Sequence, residues 1–308
     1  MRFVARTSSR AVWVMLGLCT CPLPVRAQWS SKGEVAIEGR AFLPDNEALT
    51  VDQDVGLFGR VEVLHKHENI FREKVRIFGR VDRRDEGRSV LIVEEAWVEL
   101  KKSLVRLRLG ADIVNWTATE AFHPADVLNS RNLDSDVENF EKVGEPMAEL
   151  SFNVGNGTLS AYYMPYYTRP IQPSPRSRQG VFPPGLPVGP LLRMDAHGNL
   201  ADGDFGHQGG LRARQTFGSA DLSLHFIHHM DRDQPEIVFD ATAGELRPLF
   251  RTVTQAGGTY QQVFGSLILK VEAAYRFRSL RRHDSAFGFA RRSESRADCG
   301  RRGVRLVA

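Results

Sequence analysis

Hydrophobic and polar residues alternate along most of the chain beyond residue 30, with the two-residue period of a β-strand that has one apolar face. In the clearest segment, Val105, Leu107 and Leu109 fall on one face, and Arg106 and Arg108 fall on the other. Helical periodicity is scarce over the same stretch. The pattern predicts eleven strands, at 33–42, 55–66, 71–82, 89–101, 103–113, 146–154, 158–166, 207–217, 219–229, 251–264 and 266–279.

Many of the predicted strands are about ten residues long or longer, whereas strands of soluble proteins average about five or six. A strand that crosses a bilayer at a tilt needs about nine to eleven residues. In the fourth strand, strict alternation predicts Val90, Ile92 and Val98 on the apolar face and Glu95 and Glu99 on the polar face. A soluble sandwich also alternates, so strand length is what favours a membrane-spanning structure over a secreted soluble β-protein.

The connections between the predicted strands alternate between long and short ones. The long connections are 43–54, 83–88, 114–145, 167–206 and 230–250, and the short ones are 67–70, 102, 155–157, 218 and 265. Up-and-down barrels in outer membranes have short turns at one end and longer loops at the other. Because lipid offers no partner for backbone N–H and C=O groups, each strand must pair on both sides. We therefore predict an all-β, antiparallel up-and-down transmembrane β-barrel.

Residues 1–27 have the order of a secretory signal peptide. Arginines precede an apolar run over 11–21, and small residues at Val25 and Ala27 offer a cleavage site before Gln28. The alternative is a membrane anchor, but an apolar run of about eleven residues is too short to span a bilayer. We predict export, with residues 28–279 as the body of the mature protein.

Composition and charge change this picture only at the two ends. The chain has 41 Lys+Arg against 37 Asp+Glu, a formal charge of +4 and a pI of about 9.1. Residues 1–27 carry four Arg and no acid, and 276–308 carry ten Arg against three acids, which leaves 28–275 with a net charge of −7. That acidic body offers no stripe for a phosphate backbone, so we expect no nucleic-acid partner. Cys299 is the one cysteine beyond residue 27, so the mature chain has no internal disulfide.

The polar faces of the predicted strands carry charged residues in rows, with bases beside acids on neighbouring strands. One interpretation is a water-filled lumen whose opposed charges orient small solutes and set ion preference. The alternative is that the same charges pair with one another and fill a plugged interior. The predicted lumen-lining residues are Arg60, Glu62, Arg72, Lys74, Arg76, Arg80, Glu95, Glu99, Arg106, Arg108, Asp112, Arg212 and Arg214, together with Lys270 and Glu272.

Two stretches carry a resemblance to a known family. Leu109-Gly110-Ala111-Asp112-Ile113-Val114-Asn115-Trp116, followed by His123-Pro124-Ala125-Asp126-Val127-Leu128-Asn129, resembles a signature of porin-like proteobacterial outer-membrane proteins. Gly144-Glu145-Pro146 and Tyr162-Tyr163-Met164-Pro165 are similar to the same family, whereas Thr117 departs from the Gly that many members have. The resemblance implies an outer-membrane barrel of the channel or transport type. Such a barrel contacts outer-membrane lipid, passes small solutes and is inserted by the barrel-assembly machinery.

Within this signature, four residues stand out: Trp116, Pro124, Asp126 and Asn129. Trp116 lies just past a predicted strand end, which suggests a place in the interfacial aromatic belt. Asp126 and Asn129 are turn formers whose side chains satisfy loop backbone. The motif therefore has a purely structural interpretation beside a functional one.

The two longest connections, 114–145 and 167–206, are acidic and proline-rich respectively. Connections of that length in a compact protein are usually functional or disordered. One hypothesis is that one of them folds inward to form a constriction.

An enzymatic function has little support in the sequence. His225 and His229 share one face of a strand at about 13 Å, and His228 points the other way, so one metal cannot join them. Motifs for acyl transfer, phosphate binding or zinc proteolysis are absent from the sequence. We therefore predict no catalysis, no cofactor and no metal. The alternative to a channel is a closed structural or binding barrel that uses its long outer loops.

The alternation stops after Phe277, and residues 280–308 are rich in arginine and without pattern. One interpretation is a basic disordered tail. We favour a lost reading frame or boundary, because eleven strands is an odd number and bacterial single-chain barrels use an even one. On this hypothesis the chain is a truncated or frame-shifted member of its family, and its barrel is incomplete, forming an open sheet with two edges.

Overall fold

The computed structural model describes residues 13–14, 27–42, 51, 53–68, 70–120, 122–135, 140–174, 176–180, 182, 187–195, 197–201, 203–232, 235–278 and 304–305. Within them lie eleven long strands, one for each strand predicted from the alternation. They are β1 (Ala27–Ala41), β2 (Gln53–His67), β3 (Phe71–Asp82), β4 (Val90–Lys102), β5 (Val105–Asp112), β6 (Glu145–Val154), β7 (Gly157–Tyr166), β8 (Phe205–Phe217), β9 (Ala220–Met230), β10 (Glu245–Phe264) and β11 (Leu267–Arg278). The all-β prediction is confirmed.

The long strands form one antiparallel sheet in which each strand pairs with the next strand along the chain. Among the described residues, no pairing joins β1 to β11, so this part of the sheet is open rather than closed into a ring. Two-residue strands add to its edges, Trp13–Val14 beside β1 and Val304–Arg305 beside β11.

The predicted rhythm of connections is also confirmed, because tight turns at one end of the sheet alternate with long connections at the other. A 3₁₀ turn at Glu86–Arg88 lies in the connection between β3 and β4. The longer connections contain short strands. They are Arg131–Asn132 paired with Glu141–Lys142, Leu192–Met194 paired with Leu200–Ala201 and running parallel to β10, and Glu236–Asp240 paired with β10.

The two faces of the sheet differ sharply in chemistry. One face, here called the outer face, exposes aliphatic and aromatic side chains along the long strands, among them Val61, Val75, Val98, Leu211 and Phe226. The opposite face, here called the inner face, carries the charged rows and is covered by segment 113–144. In water an exposed apolar face of this extent would be very unusual for a monomer.

A β-bulge in β4 corrects one detail of the predicted faces. Arg76 pairs with Glu95 but the next residue of β3 pairs with Val93, so Glu94 is the extra residue. Before the bulge the faces are reversed, because one inserted residue shifts a two-residue period. The prediction of Val90 and Ile92 on the apolar outer face was therefore wrong: Ile92 is buried on the inner face against Phe78.

The apolar core lies on the inner face, between the strands and segment 113–144. Its largest cluster combines residues of the segment (Trp116, Val127 and Leu128) with residues of β6, β7 and β9 (Met147, Tyr162, Met164 and Ile227). Nowhere in the described part of the chain is a helix sufficiently long and apolar to traverse a membrane.

Two predictions fall largely outside the described residues. Of the predicted signal peptide 1–27, the described positions are 13–14 and 27, and of the tail 280–308 they are 304–305. Cleavage before Gln28 and a lost frame near residue 280 stay predictions.

Candidate functional site

The inner face of β2, β3 and β4 carries a ladder of alternating charges. Lys74 Nζ on β3 lies 3.1 Å from Glu62 Oε2 on β2 and 2.7 Å from Glu95 Oε2 on β4. Arg76, one step further along β3, bridges Glu95 at 3.2 Å and Glu94 at 2.8 Å. The bulge therefore places two successive carboxylates on the same face, where both meet β3 bases.

A second ladder continues across β4, β5 and β6. Arg108 on β5 binds Glu99 of β4 at 2.6 Å and Asp112 of its own strand at 2.5 Å. Its guanidinium also lies 4.2 Å from the ring centroid of Trp97, a cation–π contact. Arg106 binds Glu149 of β6 at 2.5 Å. The order acid, base, acid on successive strands matches the cross-strand pairing expected from the sequence.

Segment 113–144, which joins β5 to β6, crosses the inner face from one side of the sheet to the other. At the β11 side, Glu272 accepts the backbone N–H groups of Ala118 and Thr119, the latter at 2.9 Å. In the middle, the carbonyl of Pro124 accepts a hydrogen bond from Gln255 of β10 at 3.0 Å. One of the two longest loops thus folds inward, as the sequence hypothesis proposed, and a constriction formed by it stays a prediction.

The far end of segment 113–144 is held by a buried carboxylate, Asp134. Guanidinium groups from three places reach it: Arg80 of β3 at 3.0 Å, Arg88 at 3.2 Å and Arg40 of β1 at 3.2 Å. Arg88 also binds Asp82 at 3.0 Å. Such a cluster is costly to desolvate, and removing one partner leaves the others as uncompensated buried charges.

Internal hydrogen bonds hold the shape of segment 113–144. Asn129 accepts from the Val114 N–H at 2.9 Å and donates to the carbonyl of Asp112 at 2.7 Å. Asp126 binds the ammonium of Lys142 at 2.6 Å. Burial lowers the pKa of Lys142 from its ordinary value, and Asp126 opposes that shift. Asn129 and Asp126 therefore stabilise the loop, which is the structural role that the sequence predicts for these turn formers.

Trp116 lies in a different place from the one predicted. Instead of reaching the membrane interface, its indole is buried on the inner face, 5.4 Å from the Tyr162 ring and 5.1 Å from the His225 ring. Arg212 stacks over it at 5.2 Å. The prediction of an aromatic-belt residue was wrong because segment 113–144 turns inward immediately after β5.

The second long connection, 167–204, packs over the first. Backbone hydrogen bonds join Ile171 to Arg131 and Leu133, and Ser174 bonds to Asp85 at 2.5 Å. Tyr167 at its start is fully buried, which raises the pKa of the phenol.

A buried ion pair lies near the entry to this connection, between Glu145 of β6 and Arg232. Their side chains meet at 2.5 Å, and Arg232 also donates to Gln208 Oε1 at 3.0 Å. Four buried polar atoms in this cluster have no hydrogen-bond partner among the described protein atoms: Glu145 Oε2, Arg232 Nε, Tyr167 OH and His229 Nε2.

The structure places all fifteen predicted lumen residues on the inner face, but not in one cluster. Lys270 and Glu272 lie on β11, where they contact Glu120 and the backbone of Ala118 and Thr119. Eleven of the fifteen lie between β2 and β5, where they form the two ladders and the Asp134 cluster. Arg212 and Arg214 are separate, on β8: Arg212 donates to Ser223 at 2.7 Å, and exposed Arg214 lies 3.9 Å from Asp221. The structure leaves their role in passing solutes a proposal.

Sequence reasoning missed Asp134, Arg88, Arg40, Glu94 and the Glu145–Arg232 pair. Asp134 and Arg88 lie in predicted loops, where strand alternation gives no indication of direction. One signal was present for Glu94, since Glu94-Glu95 puts two acids in a row within an alternating strand, and one inserted residue interrupts a two-residue period in this way.

The histidines do not assemble a metal site in the described part of the chain, which contains no cluster of three or more metal-ligating side chains. His225 bonds to Gln255 at 3.1 Å on the inner face. His228 bonds to Thr254 at 2.9 Å.

Comparisons with known proteins add little to this geometry. No protein-family model matches the chain, and no curated protein matches it. Among solved structures, the chain is similar to OmpF of Salmonella typhi, determined as a complex with daunomycin. The two share 10% sequence identity over 81% of this chain and 78% of that chain, with a TM-score of 0.32. The fold described above rests on the strand pairing of this chain alone.

Proposed function

We propose that this chain is a porin-like protein of the bacterial outer membrane whose charged inner face lines a path for small hydrophilic solutes. The observation that carries the proposal is the two-faced sheet. Its outer face is apolar on strand after strand, and its inner face has acids and bases on neighbouring strands. Lipid on one side and water on the other match these two faces.

Strand length supports the membrane placement. Nearly all the long strands have ten or more residues, which suffices for a tilted crossing of the hydrocarbon core. Export by the predicted signal peptide and insertion by the barrel-assembly machinery belong to the same proposal, as do the outer-membrane lipids as partners. Fractionation of cell envelopes on a sucrose gradient tests it, and recovery in the cytoplasmic fraction would contradict it.

The ladders supply a mechanism for selecting solutes. Carboxylates alternate with guanidinium and ammonium groups on neighbouring strands of this face, so a dipolar solute in front of it meets opposed charges that orient it. Segment 113–144 narrows the space in front of these rows. Catalysis, cofactors and metals have no part in this mechanism.

Single-channel recording in a planar bilayer tests the proposal. We expect current steps from the wild-type protein and a shift of the reversal potential towards cation preference in Arg72→Glu, since Arg72 is half-exposed and 3.8 Å from Glu99. Lys102→Glu is the matched control, because Lys102 lies at the short-turn end but on the outer face. Wild-type protein without current steps would exclude a channel. Equal shifts in both variants would place the path elsewhere.

A closed barrel that binds ligands with its long loops is the second candidate. The observation that favours it is the degree of filling, because Trp116, Asp134 and the Glu145–Arg232 pair are all buried on the inner face. This candidate predicts that the protein produces no current steps although its protease digestion pattern is that of a folded protein.

A further inference from the structure

On the outer face of the described strands, a histidine and a carboxylate lie within hydrogen-bond distance of each other. Nδ1 of His65 on β2 lies 2.9 Å from Oε1 of Glu73 on β3. In the described portion of the long strands, Glu73 is the one carboxylate at an outer-face position. A charge facing lipid is destabilising near the bilayer centre and tolerated near the interfaces, so its place along the strand matters.

The pair lies near the short-turn end of the sheet. Trp29, His65, Glu73 and Val98 form one row across β1 to β4. His65 is two residues from the end of β2, about 7 Å along the strand. This depth corresponds to the headgroup region of one leaflet rather than to the hydrocarbon centre.

An aromatic wall and an apolar floor complete a groove at this point. The Trp29 and His65 rings stack with centroids 4.1 Å apart and planes inclined by 17°. A cavity of about 430 Å³ is lined by Trp29, His65, Glu73, Val63, Val75 and Val98, together with Lys74, Ala96, Trp97 and Leu109. The Lys74 ammonium itself lies on the inner face, bound to Glu62 and Glu95. Trp29 is 63% exposed and the side chain of Glu73 is 39% exposed, so both are accessible to a ligand.

We propose that this groove binds the headgroup of a glycerophospholipid that carries a primary ammonium group. The ammonium donates to the Glu73 carboxylate, beside the stacked rings of His65 and Trp29. One acyl chain lies over the valines. A quaternary ammonium lacks the N–H donors for Glu73, and a glycerol headgroup leaves the lipid with a net negative charge that Glu73 repels. The inference goes beyond the channel and rests on the membrane placement proposed above.

Tryptophan fluorescence reports on this groove, in which Trp29 is the exposed tryptophan. Trp29 is exposed on the outer face, whereas Trp97 and Trp116 are 8% and 1% exposed on the inner face. In a Trp13→Phe background, the protein is inserted into phosphatidylcholine bilayers that contain a minor fraction of lipid with brominated acyl chains. We expect brominated phosphatidylethanolamine to occupy the groove about threefold more than brominated phosphatidylcholine or phosphatidylglycerol at equal mole fraction, a preference of the size seen for exposed ion pairs.

Matched variants identify the carboxylate. Glu73→Gln is expected to remove the preference for phosphatidylethanolamine while all three lipids still quench. Glu86 is an exposed carboxylate in the turn between β3 and β4, and Glu86→Gln is expected to retain the preference. Equal quenching by the three lipids in wild-type protein would overturn the lipid site and leave the membrane placement intact. Absence of quenching by every lipid would overturn the placement. Quenching that disappears as the protein-to-lipid ratio rises would assign the groove to a second copy of this chain.

Discussion

Gly110 determines how closely β5 approaches β4. Its φ is +131°, a conformation that L residues rarely adopt. A Cβ at this position would lie 2.2 Å from the carbonyl oxygen of Ala96 and 2.7 Å from Cα of Trp97. The absence of a side chain lets β5 approach β4 where Arg108 stacks on Trp97. Glycine is therefore required here by both backbone conformation and space.

Replacing Gly110 with alanine is expected to lower the free energy of unfolding by about 2–3 kcal/mol, combining backbone strain with overpacking. Urea titration of the protein in detergent measures this. Gly155→Ala isolates the strain, because Gly155 has φ +58° and open space around it. Gly33→Ala, with neither feature, is expected to change little. An effect of Gly110→Ala no larger than that of Gly155→Ala would contradict the role of close approach.

Tyr167 is a fully buried phenol between Phe250 and Arg232. Burial raises its pKa, so the unfolded chain ionises near pH 10 while the folded chain does not. Stability contributed by the neutral phenol is thus complete below pH 10 and is lost as the pH rises above it. Because its hydroxyl has no hydrogen-bond partner among the described atoms, the ring rather than the hydroxyl provides the packing.

We expect Tyr167→Phe to leave the free energy of unfolding nearly unchanged at pH 8. At pH 11 the variant is expected to be more stable than wild type by about 1.4 kcal/mol, the value of one pH unit above the unfolded pKa. Urea titrations at the two pH values measure the difference. A wild-type loss of stability equal to that of the variant would show that the phenol ionises equally in the folded state.

At the scale of elements, segment 113–144 crosses the inner face from the β11 side to the β1 side, and it is called the strap below. The sequence alone showed an acidic composition and suggested the hypothesis that a long loop folds inward, without any partner for the acids. In the structure the carboxylates of the strap make specific contacts, Asp134 with three guanidinium groups and Asp126 with Lys142. The sequence did not predict these contacts, because their partners lie between about 16 and 94 residues away along the chain.

Asp134→Asn is expected to release the far end of the strap. Removing one partner from a buried ion cluster costs about 3 kcal/mol or more, and Arg80, Arg88 and Arg40 would lose a shared counter-charge. Faster amide hydrogen exchange over residues 131–135, with β8 and β9 unchanged, is the expected signature. Asp221→Asn, which affects an exposed pair at 3.9 Å, serves as the control and should change stability by no more than about 1 kcal/mol. Unchanged exchange at 131–135 would show that hydrogen bonds of the backbone suffice to hold the strap.

The bulge at Glu94 is a feature of β4 that the alternation of apolar and polar residues does not predict. Alternation predicted the existence and length of β4, and it assigned the faces correctly from Glu95 onwards. It failed at Val90 and Ile92, because a single inserted residue reverses every face on one side of it. Gly144 packs against the same place, where a Cβ would lie 2.5 Å from the Glu94 carbonyl oxygen. Gly144, the last residue of the strap, therefore packs closely on the bulge. Neither stretch of sequence predicts this contact by itself.

At the scale of the whole molecule, the one-sided apolar face makes a direct prediction. Val61→Arg, near the middle of β2, is expected to destabilise the membrane-inserted state by about 2–4 kcal/mol, the cost of a cation at the bilayer midplane. Leu104→Arg is matched in exposure, 61% against 58%, but lies in the turn between β4 and β5 and is expected to cost about 0–1 kcal/mol. Folding titrations into liposomes measure both. Equal effects would contradict the placement of β2 across the bilayer.

The sequence by itself determined where the strands lie and that short and long connections alternate between them. It also determined that the charged rows share one face of the sheet. Those features depend on a two-residue period and on turn positions, both of which are local. Only the tertiary structure decided that segment 113–144 crosses the inner face, that Trp116 is buried there and that Glu94 forms a bulge. These depend on contacts between residues far apart in the chain, such as Gln255 with Pro124 and Arg80 with Asp134, for which periodicity contains no information.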